Sequence, residues 1–423
     1  MFSASFIVAQ TPNTCCSPRW QCSFRLDGIP QDEVYTYVVS YYPKSWSQEL
    51  LYTYDGEIPL QQGKPKIAAL SCFGHDDTMS KDELVDAVLH RNPDLIVLQG
   101  DQTYFHTQLG YGFLETIYSL NRLTRSIPTI VQMDDHDYGQ GNIWGAGRDP
   151  NDSSGAGFTK IDACLSIAVE KQTMGHNPDP VSTNVLSNGV KYQFTTYVYD
   201  KVDFAILEAR KFKSRRDYDS LLGDDQESWL QSWCDSNVDR MKVVLAQTPF
   251  ISVPTHRTTY QEGISMMEIN KSSDTNSFPP SGRARALDIL QGCSHLVLSG
   301  DQHVSFAVTY PDYDIHECTS PAAVNTIFWR TNDEPIGITY NDDFGHQYTL
   351  HKIWNVPQDL RDKFVLPKET IGISDDATKR ARGDGFLMVH LGDSTATCEA
   401  HSYRDSAVER ESDLIWTVEV AAQ

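Results

Sequence analysis

The sequence predicts an α/β fold with a largely parallel sheet, and three features lead there. Between residues 66 and 133, short apolar runs of strand length alternate with stretches of helical periodicity. The apolar runs are nearly continuous, as strands covered on both faces must be. Three of them, and a fourth run at His295–Gly300, also end alike, the last apolar residue being followed by carboxylates, histidine or both. Ligands of open α/β sheets bind beyond the carboxyl ends of the strands, so a parallel arrangement would bring the four endings to one edge.

Taken in order, residues 1–64 hold short aromatic and β-branched runs, Val34–Tyr42 and Leu50–Tyr54, parted by Pro, Gly and Asp. They read as a short β-rich segment. Gly63-Lys64-Pro65 marks a joint, and residues 65–423 are expected to form one catalytic domain. Lys66–Cys72 is the first buried strand. Ser80 and Glu83 have capping-box spacing ahead of Leu84, Val85, Val88 and Leu89, and Pro93 closes that helix. Asp94–Gly100 is the next strand, Tyr111–Leu123 a helical stretch, and Pro128–Met133 a third strand. Residues 139–157 are a Gly/Asn/Asp/Ser-rich loop. Strands resume at Tyr192–Val198 and Val202–Glu208. Asp224–Cys234 is a helix with Trp229, Leu230 and Trp233 on one face, and Lys242–Gln247 is a strand. Residues 254–282 read as a long polar loop and 330–351 as a polar insertion. His295–Gly300 is another buried strand; Gly385–Leu391 and Trp416–Val420 are strands near the end.

A composition of 40% hydrophobic and 22% charged residues excludes a disordered chain. The net charge of −22 disfavours nucleic-acid backbones and anionic membranes as partners. No run approaches the roughly 20 apolar residues of a membrane span, and the first residues lack the basic start of a secretion signal. Nine cysteines leave the compartment open; Cys15, Cys16 and Cys22 cluster where a disulfide is expected. Asn151-Asp-Ser and Asn270-Lys-Ser fit glycosylation sequons. Oligomeric state is not legible.

The strand endings carry the chemistry. The first is Cys72 with His75, Asp76 and Asp77; the second Gly100-Asp101-Gln-Thr-Tyr104; the third Asp134-Asp135-His136-Asp137; the last Gly300-Asp301-Gln-His303. Carboxylates converging at one edge repel unless cations neutralise them. Two metal ions can clamp the attacking and leaving oxygens of an in-line phosphoryl displacement. Asp101 suits a bridging carboxylate, and the glycine before it permits close backbone approach. Any single Gly-Asp pair reads more readily as a turn; four such endings together point to catalytic metals. There is no Gly-x-Ser-x-Gly elbow, phosphate-binding loop or dinucleotide fingerprint.

These motifs, with Leu207-Glu-Ala-Arg210-Lys-Phe-Lys-Ser and Leu222-Gly223…Gln226…Trp229-Leu230, resemble PhoD-type alkaline phosphatases, a branch of the calcineurin-like metallophosphoesterases. The resemblance runs from about residue 66 to at least 325. It implies a four-layer α/β/β/α sandwich and a first metal held by Cys72, Asp101, Tyr104 and His303. Asp101 would bridge to a second ion bound by Asp135 and Asp301. The resemblance implies iron and calcium. Thiolate and phenolate favour Fe3+ or Zn2+, and the all-oxygen set suits Ca2+, Mg2+ or Mn2+. His136 corresponds to the family's catalytic histidine, and Asn142 to a polar residue near the second metal. Arg210 is expected either to contact substrate phosphate or to form a structural ion pair. His75-Asp76-Asp77 and Met133 depart from the family pattern, and the short β-rich segment suggests a truncated or divergent start. The family also implies a secreted or extracytoplasmic location.

The expected activity is hydrolysis of small phosphate mono- or diesters by a metal-bound hydroxide in an in-line attack. The alternatives are a phospholipase-type phosphodiesterase and a non-catalytic metal- or carbohydrate-binding protein on the same scaffold.

Overall fold

The computed structural model describes residues 29–30, 33–41, 52–74, 81–106, 109–141, 143, 145, 162–214, 220–236, 238–251, 275–276, 279–294, 296–324, 335–342, 345–354, 383–403 and 413–421. Strands β1 (Tyr35–Tyr41) and β2 (Tyr52–Ile58) form a separate antiparallel ribbon. It is tied down where Tyr37 Oη donates to the Arg125 carbonyl at 2.8 Å and Arg125 meets Asp55 at 2.8 Å.

The parallel unit follows: β3 (Lys66–Phe73), helix α1 (Asp82–His90), β4 (Leu95–Gln99), α2 (Leu109–Ser119), α3 (Asn121–Thr124) and β5 (Thr129–Gln132). A 3-10 turn, His136–Tyr138, precedes α4 (Ala163–Met174). The second sheet begins with β6 (Thr195–Tyr199) and β7 (Val202–Ile206), then α5 (Asp224–Asp235), β8 (Met241–Leu245), α6 (Pro280–Gln291) and β9 (Leu296–Ser299). Next come β10 (Phe306–Tyr310), β11 (Ile315–Thr319), β12 (Ala322–Val324), β13 (Thr339–Asn341) and β14 (Gln347–Ile353). The last strands are β15 (Gly385–Leu391), β16 (Thr395–Ser402) and β17 (Asp413–Ala421).

One sheet has the order β17-β16-β15-β3-β4-β5, with β12 extending the pairing of β3; the other runs β13-β14-β10-β11-β9-β8-β7-β6. Strands β3, β4 and β5 are mutually parallel, as are β7, β8, β9 and β11. Strands β4, β7, β8 and β9 are buried along their whole length, because each is covered on both faces. Ile67, Leu95 and Val97 of one sheet pack directly on Phe204, Val243, Leu245 and Leu298 of the other. Outside, Leu84, Val85, Val88 and Phe113 cover the first sheet, and Leu230, Trp233, Leu287 and Leu290 cover the second. These layers make the α/β/β/α sandwich. Each such side chain contributes about 1.5–3 kcal/mol on burial, so the inter-sheet layer fixes how the two sets of strand ends face each other.

The helical stretch 111–123 divides into α2 and α3 at Leu120. Phe113, Leu120 and Leu123, spaced i, i+7 and i+10, keep one buried face across the break. The expected polar insertion 330–351 instead supplies β13 and β14, which extend the second sheet by antiparallel pairing onto β10. Tyr348 and Leu350 are its buried anchors; their alternation with polar residues is a half-buried strand pattern. Helix α1 starts after Lys81 without a side-chain cap; Ser80 lies outside the described residues, as do His75, Asp76, Asp77, Asn142, both sequons and the three N-terminal cysteines.

Two disulfides among the described residues were not foreseen. Cys318 of β11 joins Cys398 of β16 across the inter-sheet core, and Cys234 at the end of α5 joins Cys293 just past α6. The first closes 80 residues of separation and the second 59, so each restricts the unfolded chain substantially. Replacing Cys318 and Cys398 together by Ala is expected to lower unfolding stability by about 2–5 kcal/mol, read from denaturant melts. An unchanged midpoint with unchanged slope would exclude that contribution.

Candidate active site

The carboxyl ends of the parallel strands of both sheets open on one edge. Cys72 lies in the last turn of β3, Asp101 follows β4, Asp134 and Asp135 follow β5, and Asp301 and His303 follow β9. Just beneath them lies a layer of buried glutamines that stitches the sheets together. Gln132 Nε2 donates to the Leu207 and Leu245 carbonyls, both at 3.1 Å, and Gln247 Nε2 donates to the Met133 carbonyl at 2.9 Å. These bonds tie side chains at the strand ends of each sheet to backbone carbonyls of the other.

The backbone is bent sharply here. Cys72, Asp101, Asp301 and His303 all occupy the left-handed region, with φ of 58°, 56°, 68° and 55°. Side-chain-bearing residues adopt this conformation at a cost of about 1–3 kcal/mol each, and such outliers collect at functional sites. Gly100 has φ of 94°, and a Cβ there would fall 2.5 Å from that of Asp134. A Cβ on Gly300 would fall 2.6 Å from that of Ser71. Both glycines therefore admit loops that approach closer than any side chain allows.

The side chains converge. Tyr104 Oη donates to Asp101 Oδ2 at 2.9 Å and lies 2.9 Å from His303 Nε2; Cys72 Sγ is 3.9 Å from Asp101 Oδ2. Among the described residues, three sets offer ligand atoms within 4.8 Å of one another: Cys72, Asp101 and His303; Asp101, Asp135 and His136; Asp101, Asp134, Asp135 and Asp301. Asp101 belongs to all three. Burial, reinforced by neighbouring carboxylates, lifts Asp101 well above the usual carboxylate range. Burial, followed by the charges of Asp101 and Asp301, likewise lifts the Cys72 thiol, and burial with Asp101 lifts the Tyr104 phenol. Such a set is stable as anions only around cations. Its donor chemistry fits metals: a soft and hard mixture on one side, oxygen alone on the other.

Arg210 supplies one positive charge from the protein. Its side chain is 1% exposed. Its Nε donates to Asp134, while Nη2 donates to Asp134 Oδ2 and to Asp301 Oδ1, each at 3.2 Å. Asp135 Oδ1 is 3.6 Å away. Arg210 thus forms a buried ion-pair network with these carboxylates. Asp137, to which the sequence assigned no role, accepts from the backbone N–H groups of Asp101 at 2.8 Å, Asp134 at 2.9 Å and Thr103 at 3.3 Å. Burial raises it to about 8, against the pull of those amides. It clamps the β4 and β5 loops to each other. His136 follows Asp135 on the 3-10 turn, and its N–H donates to Asp135 Oδ1 at 2.9 Å. A cleft of about 480 Å³ between the ribbon and the start of β5 holds none of these residues, and no helix among the described residues is long and apolar enough to cross a membrane.

A two-sheet α/β/β/α sandwich with a buried acidic, thiol and histidine cluster at its shared strand edge defines a metallophosphoesterase, a metal-dependent phosphoric ester hydrolase. A family model for PhoD-like phosphatases matches residues 109–332, which include Asp135, His136, Arg210, Asp301 and His303. The chain belongs to the PhoD-like phosphatase family. Among solved structures, it resembles PhoD with a TM-score of 0.53 at 13% identity, over 89% of this chain and 76% of that one. A purple acid phosphatase from yellow lupin (Lupinus luteus) seeds aligns with a TM-score of 0.52 at 11% identity, over 99% of this chain and 66% of that one. At those identities the likeness is one of fold. No curated protein matches the chain in sequence.

Two variants probe the cluster's supports. Asp137→Ala strips three buried amides of their acceptor and is expected to cost about 3 kcal/mol or more of stability and to lower bound metal per chain, measured by melts and elemental analysis. Arg210→Met leaves Asp134 buried beside its neighbours without a cation; an expected loss of about 3–5 kcal/mol should be largely recovered in Arg210→Met with Asp134→Leu. A double variant no more stable than the single one would show that Arg210 does something other than compensate Asp134.

Proposed function

We propose that this chain hydrolyses small phosphate mono- or diesters at a site of at least two metal ions. The single observation that carries the reading is the membership of Asp101 in all three ligand sets, which is what a carboxylate bridging adjacent ions requires. Cys72, Tyr104 and His303 would complete one ion's shell with Asp101, and Asp135 and Asp301 would complete the other's. The first set favours Fe3+, with Zn2+ the alternative; the second favours Ca2+, with Mg2+ or Mn2+ the alternatives. When bound, the metals acidify a water and polarise the phosphoryl oxygens.

The protein's own residues organise the rest. Asp101 and Asp135 both accept from the His136 N–H, at 3.3 Å and 2.9 Å, which sets the imidazole beside the bridging carboxylate. From there His136 would steady the transferring phosphoryl group or give a proton to the leaving oxygen. Arg210 would hold Asp134 and Asp301 in place and temper the local negative charge, rather than reach substrate. The buried edge keeps bulk water from the ligand side chains, so each charge there counts for more than in solvent.

The two disulfides support residence in an oxidising compartment, in keeping with a secreted or extracytoplasmic location. Residues 1–64 would be an accessory segment and 65–423 the catalytic domain.

Chromogenic phosphate mono- and diesters, offered with and without chelator, test the activity. The expected outcome is turnover by the metal-replete protein, its loss on chelation, and a fall of both turnover and metal content in Asp101→Asn. Elemental analysis of protein purified without chelator is expected to find iron with calcium. Absence of turnover on every ester, with metal content unmoved by Asp101→Asn, would sink the reading.

A further inference from the structure

His106 has no role in the ligand sets: among the described residues, every group able to hold a metal leaves it out. Its ring nevertheless lies against His136. Nε2 of His106 is 2.6 Å from Nδ1 of His136, and the two rings lie end to end, with centroids 4.9 Å apart and planes 22° from parallel. On its other side, the His136 ring meets Tyr104, with centroids 4.2 Å apart. His136 is thus held between one aromatic ring that belongs to the cluster and one that does not.

The loop carrying His106 is itself fixed. The Thr103 hydroxyl accepts from the Phe105 N–H at 3.1 Å, and the His106 N–H donates to the Tyr104 carbonyl at 3.0 Å. Helix α2 then fastens the loop: Thr116 Oγ1 donates to the Gln102 carbonyl at 2.7 Å. Gly112 lies so near Thr103 and Phe105 that a Cβ would fall 2.0 Å from the Thr103 hydroxyl. An exposed histidine on a free loop would sample many rotamers; this one is carried on a braced backbone to a single ring nitrogen of its neighbour.

We propose that His106 is a positioning residue for His136, engaging its Nδ1 so that Nε2 is left to face the substrate. The inference rests on the reading of His136 as the residue that acts on the ester. A proton between two ring nitrogens makes one ring the donor and the other the acceptor, so the contact fixes which nitrogen of His136 stays available as well as the ring's rotation. Its dependence on one side-chain bond also means that another side chain placing a nitrogen at the same point can substitute.

The test compares His106→Ala, His106→Gln, His136→Ala and the His106→Ala/His136→Ala double variant on the chromogenic monoester that the metal-replete wild type hydrolyses, with bound metal measured in each. Expected are a fall in kcat of roughly 10- to 100-fold in His106→Ala, KM within about 2-fold, and wild-type metal content. His106→Gln should recover most of the loss, and the double variant should be no slower than His136→Ala alone. Full kcat in His106→Ala, a loss carried undiminished into the His136→Ala background, or a parallel loss of metal would overturn the proposal. Normal turnover by His136→Ala would instead show that the reading of His136 is at fault, and the proposal would fall with it.

Discussion

Four aspartates, Asp101, Asp134, Asp135 and Asp301, are buried close enough for ligand atoms to lie within 4.8 Å of each other, and the rest of the edge answers to their repulsion. Burial takes them out of bulk solvent, so the charge must be met by partners. Arg210 meets part of it, chiefly at Asp134. Backbone amides hold Asp137, which in turn fixes the loops bearing Asp101 and Asp134. What remains after those partners is a set of oxygens, a thiol, a phenol and an imidazole whose excess negative charge is relieved by protonation or by bound metal ions.

The sandwich makes this arrangement affordable. Two parallel strand sets pack on each other through a fully apolar layer, so their carboxyl ends are brought together by side chains that take no part in the chemistry. Gln132 and Gln247 then turn the boundary between apolar core and polar edge into a bonded seam. A shift of one sheet along the other would break that seam and separate Asp101 from Asp301. The Cys318–Cys398 bridge spans the same interior and opposes the same movement.

Much of this was legible beforehand because burial on both faces writes long apolar runs, and those runs located β3, β4, β5, β7, β8 and β9, though not β11 or β12. The convergence of Cys72, Asp101, Asp135, Asp301 and His303 followed from their common place after such runs. What could not be read was anything set by contact between distant segments. Asp137 stood in a recognised motif, yet its three amide partners lie on other parts of two loops. Arg210 was balanced between two roles because the sequence does not say which carboxylates surround it. The strands of 339–353 were hidden by polar residues on their open side, and the disulfide partners are 80 and 59 residues apart. His106 follows Tyr104 by two positions, a nearness that signals nothing until the turn of the loop is known.

Cys72, Asp101, Asp301 and His303 share one backbone habit, a positive φ. Any attempt to recruit new substrates by randomising this rim therefore meets a conformational filter before a chemical one. Asparagine and glycine can take up the local geometry at little cost, whereas valine, isoleucine and threonine would have to distort the chain to enter. Libraries weighted toward the former should retain folded members, whereas the latter would add main-chain strain to whatever ligation is lost.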